Sequence, residues 1–443
     1  MNDSLLHDVV AAALKAGADA AEAVHAEGQA LSIGVRLSEL EEVEREESRD
    51  LGLRVFVGQR QAVVSGSDVS PAARARLVER AVAMARLAPE DPYAGLAPEE
   101  RLARGTPLDL DLYDPSEPSA ETLEDRARAA EDAARAVPGV SKSDGAHASW
   151  SSSTWRLVTS GGFDGVHRAS GFSLSASAIA QDAAGMERAG DGRRVRHQAD
   201  LPAPETIGAE AGRRAASRLG ARKLDSMTAP VIFENRVAAS LLSPLIGAIA
   251  GPAVARGNSF LKSKLGQPLF SADINLIDDP YRPRGLGSAP YDDEGVHGER
   301  RNLIDRGVLT TWLLNSGSAR QLGMETTGHA SRGLAGAPGV APSNLHLEPG
   351  ASDLAALMRQ AGSGLLVTSM FGPSLNGNTG DWSAGVSGFW FEGGEIAYPA
   401  AEITVAGNLV ELYARVVPGS DLEFRGATNA PSLLIDDMAI AGR

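Results

Sequence analysis

Apolar residues recur at helical spacing at the start of the chain, where Leu5, Leu6, Val9, Val10, Ala13 and Leu14 share one face before Gly17 ends the run. The period then falls to two. Leu31, Ile33, Val35 and Leu37 alternate with other residues, as do Leu53, Val55 and Val57, and each series predicts a half-buried strand. Gly58-Gln59-Arg60-Gln61 turns the chain into another at Ala62-Val63-Val64. The glutamate-dominated stretch Glu39 to Asp50 shows no fixed ligand spacing, so it reads as a solvated strand edge and turn rather than a cation site.

Ser70-Pro71 is an N-cap and first-turn pair for a helix to about Leu87, with Leu77, Ala81, Met84 and Ala88 as its expected stripe. Pro89, Pro92, Pro107, Pro115 and Pro118 predict a long irregular connection. A helix follows from Ser119, with Leu123, Ala127, Ala130, Ala134 and Val137 aligned. Alternation from Val140 to Ala184, broken at Gly161-Gly162, predicts antiparallel strands, and a helix from Glu205 to Leu219 closes this half.

Val231-Ile232-Phe233 leads into an uncharged stretch, Val237 to Ala255. Its Pro, Gly, Ala and Ser contribute little transfer energy, so it predicts a buried helix and loop rather than a membrane span. Beyond it, Gly307 to Leu314 reads as a turn and strand, Ser316 to Leu322 as a short helix stopped by Gly323, and Leu365 to Thr368 as a buried strand. Phe389 to Tyr398 reads as a hairpin turning at Gly393-Gly394. The expected architecture is α+β in two domains, 1–225 and 226–443, mostly antiparallel sheet with packed helices.

Composition narrows the function. Forty-two Lys and Arg against 57 Asp and Glu give a net charge of −15, which opposes binding to a phosphate backbone and argues against nucleic acid as a partner. The absence of cysteine excludes disulfides, thiolate metal ligands and a thiol nucleophile. The opening residues show no basic segment followed by an apolar one, so a cytoplasmic protein without a signal peptide is expected.

The eight histidines are scattered; none precedes a Glu, and no two lie a helical turn apart, so no local helical zinc site is available. Asp278-Asp279-Pro280 and Tyr291-Asp292-Asp293-Glu294-Gly295 offer carboxylates, but Asp before Pro or Gly builds turns, and the turn reading is preferred. The polar loop Asn376 to Ser383 fits either a peptide-contacting surface, with Asn376, Thr379, Asp381 and Ser383 as candidate substrate-binding residues, or a tight inter-strand loop. Ser318 near Arg320, and Asp381 with Ser383, are the candidates for a stand-alone hydrolase that uses no metal.

These residues also carry a resemblance. The run Asp292-Asp293-Glu294-Gly295-Val296, then Gly307-Val308-Leu309, Ser318 to Met324 and Thr326-Thr327-Gly328-His329-Ala330, resembles the central block of the TldD/PmbA family. Gly364 to Thr368, Thr379 to Ser383, Gly388-Phe389-Trp390 and Glu402 to Leu409 look like its C-terminal block, and Met186-Glu187-Arg188 and Arg222 to Phe233 match upstream. The similarity spans nearly the whole chain.

The resemblance implies a TldD/PmbA-like fold and a two-subunit cytoplasmic metallopeptidase acting on unfolded peptides, historically termed a modulator of DNA gyrase. In the TldD branch an H-E-x-x-x-H helix and a C-terminal Cys hold the metal. The corresponding stretch here, Glu234 to Ile246, has no His, and the region Arg425 to Ser432 has no Cys. That assigns the chain to the TldE/PmbA branch. It implies no metal or other cofactor in this chain, zinc in a TldD-type catalytic partner, no catalytic residue of its own, an extended peptide as substrate, and a homodimer as an option for the isolated chain. A gyrase-associated regulator is the alternative that the historical name invites.

Overall fold

The N-terminal alternation becomes one six-stranded antiparallel sheet in the computed structural model, which describes residues 4–183 and 185–442. The first three residues of the opening segment, Ala184 at the end of the predicted strand region and Arg443 at the end of the C-terminal domain lie outside the described residues. The strands are β1 (Ala20–Arg36), β2 (Glu39–Val57), β3 (Arg60–Gly66), β4 (Val140–Thr159), β5 (Asp164–Gln181) and β6 (Met186–Val195), in the order β3-β2-β1-β4-β5-β6. Glu39 to Asp50 lies within β2 as an exposed edge, in line with its charge.

Four helices cover one face of this sheet: α1 (Leu5–Lys15), α2 (Pro71–Leu87), α3 (Ala120–Arg135) and α4 (Pro204–Ser217). The α2 hydroxyl cap is present, with Ser70 accepting from the Ala73 N–H. Its buried stripe is Leu77, Val78, Ala81, Val82 and Ala85, while Met84, expected inside, is exposed. Helical spacing fixed the period but left the stripe about one residue out of phase.

The small residues of α3 and α4 have a steric purpose. A Cβ on Gly208 would lie 1.9 Å from the Ala130 carbonyl oxygen, and one on Gly212 would lie 2.6 Å from that of Ala134. Gly208→Ala is therefore expected to push the helices apart and cost about 2 kcal/mol, the usual scale of core overpacking, read as a lower urea midpoint.

The C-terminal half holds a second six-stranded sheet. β7 (Met227–Phe233) lies at its centre, parallel to Gly364–Leu375 and antiparallel to Leu433–Ala441. Asp381–Glu392 and Glu395–Asn408 extend it as a hairpin. Gly393 and Gly394 turn this hairpin with φ of 58° and 81°, the left-handed pair that a two-residue hairpin turn requires. A five-stranded sheet of short strands packs beside it, and the largest apolar core joins both.

Two predicted elements differ. The helix expected within Val237–Ala255 is divided into Asn235–Ala238, a 3-10 turn at Ala239–Leu241, Leu242–Ala248 and Gly251–Ala255. Pro244 and Pro252 lack the N–H that a continuous helix needs, so each sits at the start of a new segment. The strand expected through Leu314 ends at Leu309, after which Trp312, Leu313 and Leu314 are buried in irregular chain. No helix among the described residues is long and apolar enough to cross a membrane.

The two halves are joined by buried charge. Glu22 of β1 accepts from Arg54 of β2 at 3.2 Å and pairs with Arg332 from the C-terminal half; the Glu22 and Arg332 side chains are 1% and 0% exposed. Arg320 reaches back to donate to the carbonyls of Tyr93, Gly95 and Leu96 at 2.8, 3.0 and 3.1 Å, which fixes the Pro-rich connection.

Candidate functional site

The two stretches in which the resemblance locates metal ligands meet in the structure. β7 ends at Phe233, and the chain turns into the short helix Asn235–Ala238. The Asn235 N–H donates to Ser432 Oγ at 3.1 Å, and Asn235 Nδ2 donates to the Asp421 carbonyl at 2.8 Å. Asp421 in turn accepts from both the N–H and the hydroxyl of Ser432 at 2.7 Å. Asn429 shapes the neighbouring turn by accepting from the N–H groups of Arg425 and Gly426. The broken helix and the C-terminal turn are thereby held side by side.

Both stretches present a guanidinium to Asp191 of β6. Arg236 Nη1 lies 2.7 Å and Arg425 Nη1 3.4 Å from Asp191 Oδ1. Glu423 pairs with Arg425 at 2.8 Å and also with Arg193, while Arg214 bridges Glu210 at 2.5 Å and Glu234 at 3.2 Å. Of these charges, Asp191, Arg236 and Arg425 line a cleft of about 520 Å³ between the N-terminal sheet and the C-terminal half. Its sheet wall comes from the face of β4, β5 and β6 opposite the helices, where His147 faces Ser175 and Ser175 faces Gly192 in register. Farther along this wall Ser149 and Ser173 hydrogen-bond at 2.7 Å.

This arrangement presents paired charges but no donor set for a metal. A guanidinium carries only donors and stays protonated in proteins, so Arg236 and Arg425 can neither ligate a cation nor shuttle a proton. Asp191 is the carboxylate that they hold in common, and among the described residues no group of three or more His, Asp or Glu is placed to hold a metal ion. The residues of this cleft do not fit a zinc ion.

Asp191 was not singled out from the sequence. The available signal was Gly190-Asp191-Gly192 inside a strand: a Cβ at Gly190 would approach the Ala176 carbonyl oxygen to 2.8 Å, and one at Gly192 would approach Ser175 Cβ to 2.9 Å. Glycine on both sides lets β6 lie close over β5 while one carboxylate projects.

The candidate loop is elsewhere, at the exposed end of the hairpin Gly364–Leu375 and Asp381–Glu392. Asn376 accepts from Gly380 N–H at 2.8 Å, and Asp381 accepts from Thr379 Oγ1 at 2.7 Å and Asn408 Nδ2 at 3.0 Å. The Thr379 and Asn408 bonds hold the Asp381 carboxyl below its usual range. Ser383 follows within the strand, half-buried. The structure brings Asn376, Thr379 and Asp381 together as a self-satisfied turn, and none of the four lines the cleft.

Within the carboxylate motifs Asp279 and Asp292 build turns as expected, whereas Asp278 ends a strand. Asp292 accepts from the N–H groups of Glu294, Val296 and Ala330, Asp293 from Arg332 N–H, and Glu294 from Ser316 N–H. Burial raises all three acids, Asp293 to about 6. Asp278 accepts from Ser343 N–H and lies 3.0 Å from His329 Nε2. Ser318 is buried, its hydroxyl donating to Asn315 at 2.7 Å, and Arg320 points to the connection.

One half-buried imidazole, His167, adds a pH dependence. Desolvation, helped by Arg196, depresses His167 from 6.5 to about 4. Between these values the unfolded chain binds more protons, so this group's contribution is complete above pH 6.5 and declines as pH falls toward 4. Acidification from pH 7 to 5 is expected to cost about 2 kcal/mol from this group, a slope in the urea midpoint that His167→Phe should flatten.

Comparison with known proteins agrees with this fold and extends it. Sequence profiles of the PmbA/TldA metallopeptidase match at domain 1 over residues 21–85, at the central domain over 113–219 and at the C-terminal domain over 226–442. The chain is 38% identical to metalloprotease PmbA of Escherichia coli O157:H7 over 99% of this chain and 96% of that protein. It is 37% identical to a PmbA homolog of Haemophilus influenzae over 97% and 94% of the two chains. A Bacteroides thetaiotaomicron structure described as a modulator of DNA gyrase superposes with a TM-score of 0.92 at 26% identity, covering 100% of this chain and 99% of that one. TldE of Thermococcus kodakarensis shares the fold, with a TM-score of 0.87 at 21% identity over 99% of this chain and 100% of that one. The chain belongs to the PmbA/TldD metallopeptidase family.

Proposed function

We propose that this chain is the non-catalytic, TldE/PmbA-type subunit of a cytoplasmic two-subunit peptidase, in which a TldD-type partner supplies zinc and hydrolysis. The observation that carries the reading is the pairing of Arg236 and Arg425 with Asp191, at the junction of the two stretches that would have to supply ligands. A bound metal serves peptide hydrolysis as a Lewis acid and as an activator of water, and these side chains can do neither. The serine-lined sheet wall beside them offers small polar side chains to an extended, unfolded peptide. Peptide contact is assigned to this wall rather than to the turn at Asn376 to Ser383. A homodimer is an option for the isolated chain in this reading, since a surface built for a partner of similar fold can pair with itself.

The test is purification of the chain alone and with a TldD-type partner, with metal content and cleavage of an unfolded peptide measured for each. The lone chain is expected to hold no stoichiometric zinc and to cut nothing. Activity should appear with the partner and vanish when the partner's metal-binding helix is altered. Chelator-sensitive proteolysis by the lone chain would instead make it a metalloprotease in its own right, as its relatives are named, and chelator-resistant cleavage would make it a stand-alone hydrolase.

A further inference from the structure

The cleft between the two halves carries a charge imbalance that its own side chains do not settle. Three arginines line it, Arg188, Arg236 and Arg425, against two acids, Asp144 and Asp191. Arg188 is matched by Asp144 at 2.6 Å. Arg236 and Arg425 are left to share one oxygen of Asp191. The acids behind the lining are committed elsewhere. Glu423 serves Arg193 as well as Arg425, and Glu234 and Glu210 are held by Arg214 and approach Arg236 only to 3.8 and 4.0 Å. The cleft therefore keeps a surplus positive charge within a chain whose net charge is −15, the opposite of what composition alone would place there.

The spare donors are open to the cleft. Hydrogen bonds engage Nη1 of Arg236, and Nε and Nη1 of Arg425. Among the described residues no hydrogen bond engages Nη2 of either arginine, and neither nitrogen is sealed from solvent. The space beside them is kept clear by Gly145, Gly190 and Gly192, which line the cleft without a side chain, while Ser175 adds a small polar one. A guanidinium presents its nitrogens as a planar fork that matches the two oxygens of a carboxylate. Surplus positive charge within a cleft selects an anion over a neutral or cationic group.

We infer that Arg236 and Arg425 clamp a carboxylate of the bound peptide, supplied either by its C-terminus or by an acidic side chain. A second carboxylate against the two guanidiniums balances the charge that Asp191 alone leaves over. The serine-lined wall takes the adjoining residues of the extended chain, so the clamp fixes where along the wall the peptide sits. This inference rests on the reading of that wall as a peptide surface and adds to it the chemical class of the group that is recognised.

The experiment is a calorimetric titration of the full chain with three acetylated hexapeptides of Gly, Ala and Ser. One ends in a free carboxylate, one in an amide, and the third is the amide with a Glu at an internal position. A peptide with a carboxylate is expected to bind about tenfold tighter than the plain amide, the scale of one charge-assisted hydrogen bond, and the margin should shrink as salt rises. Arg236→Gln and Arg425→Gln should each reduce that margin, and Arg425→Lys, which keeps the charge, should retain part of it. The salt series on the unaltered chain keeps the test decisive if a Gln variant misfolds. Tighter binding of the free acid alone assigns the clamp to a peptide C-terminus, and tighter binding of the Glu peptide assigns it to an acidic side chain. Equal binding of all three, or a margin that survives both Gln variants, overturns the clamp and leaves the wall as a peptide surface. Binding of none of them overturns the clamp and the wall together.

Discussion

Glu22→Gln is expected to lower the unfolding free energy by about 3–5 kcal/mol, the range for removing one partner of a fully buried ion pair. The side chains concerned are nearly inaccessible: Glu22 is 1%, Arg54 6% and Arg332 0% exposed. Without the carboxylate, two guanidiniums remain in a site that water cannot reach. Arg332 Nη2 already lacks a hydrogen-bond partner. Arg54 retains Gln61 at 2.8 Å and its position over the Phe56 ring, which leaves Arg332 as the more exposed to the loss. Because Arg332 comes from the C-terminal half, the effect should include loosening between the halves. Urea unfolding reports the energy, and protease cleavage in the connection around Pro89 to Pro118 reports the loosening. An unchanged midpoint would mean that water or another acceptor compensates the arginines.

The second large effect is expected at the cleft. Asp191→Asn leaves Arg236 and Arg425, 15% and 27% exposed, without the carboxylate that they share. Partial access to water and the neighbouring acids soften the loss, so about 3 kcal/mol is expected, at the low end of the range for a broken buried pair. Arg236→Met in the same chain should restore part of it, because the paired replacement removes the orphaned charge as well as the acid. A double-mutant cycle in urea measures this coupling. If the two changes simply add, Asp191 and Arg236 are not energetically linked and the cleft is held by other contacts. The same variants carry a functional readout: in the proposed complex they should alter peptide affinity while the lone chain stays inactive.

Much of the architecture was legible because it depends on local chemistry. Ser70-Pro71 and Ser119 announced helix starts, and the structure shows both hydroxyls capping. Gly323 announced a helix end and takes φ of 65°. Gly393-Gly394 announced a hairpin, since few other residues tolerate two successive positive φ angles. The alternation at Leu31, Ile33 and Val35 marked β1, whereas its segment Ala20 to Ala30, with its Glu, His, Gly and Gln, shows no such alternation, and Ala21 to His25 are all buried. Glu22 illustrates the reason: as sequence it is a polar residue in a strand, and it is buried only because Arg332, 310 positions away, lies against it.

Residue identity and short spacing were enough to establish the family, the α+β class, the absence of cysteine and the absence of paired histidines at helical spacing. The remainder came from packing: that Arg236 and Arg425 meet on the Asp191 carboxylate, that Asn376, Thr379 and Asp381 satisfy one another, and that Phe163 and Tyr291 pack against Gly165 too closely for any Cβ there. Such juxtapositions arise from strand order and from the packing of one half on the other. Pairing groups far apart in the chain is a matter of geometry that neither period nor composition encodes.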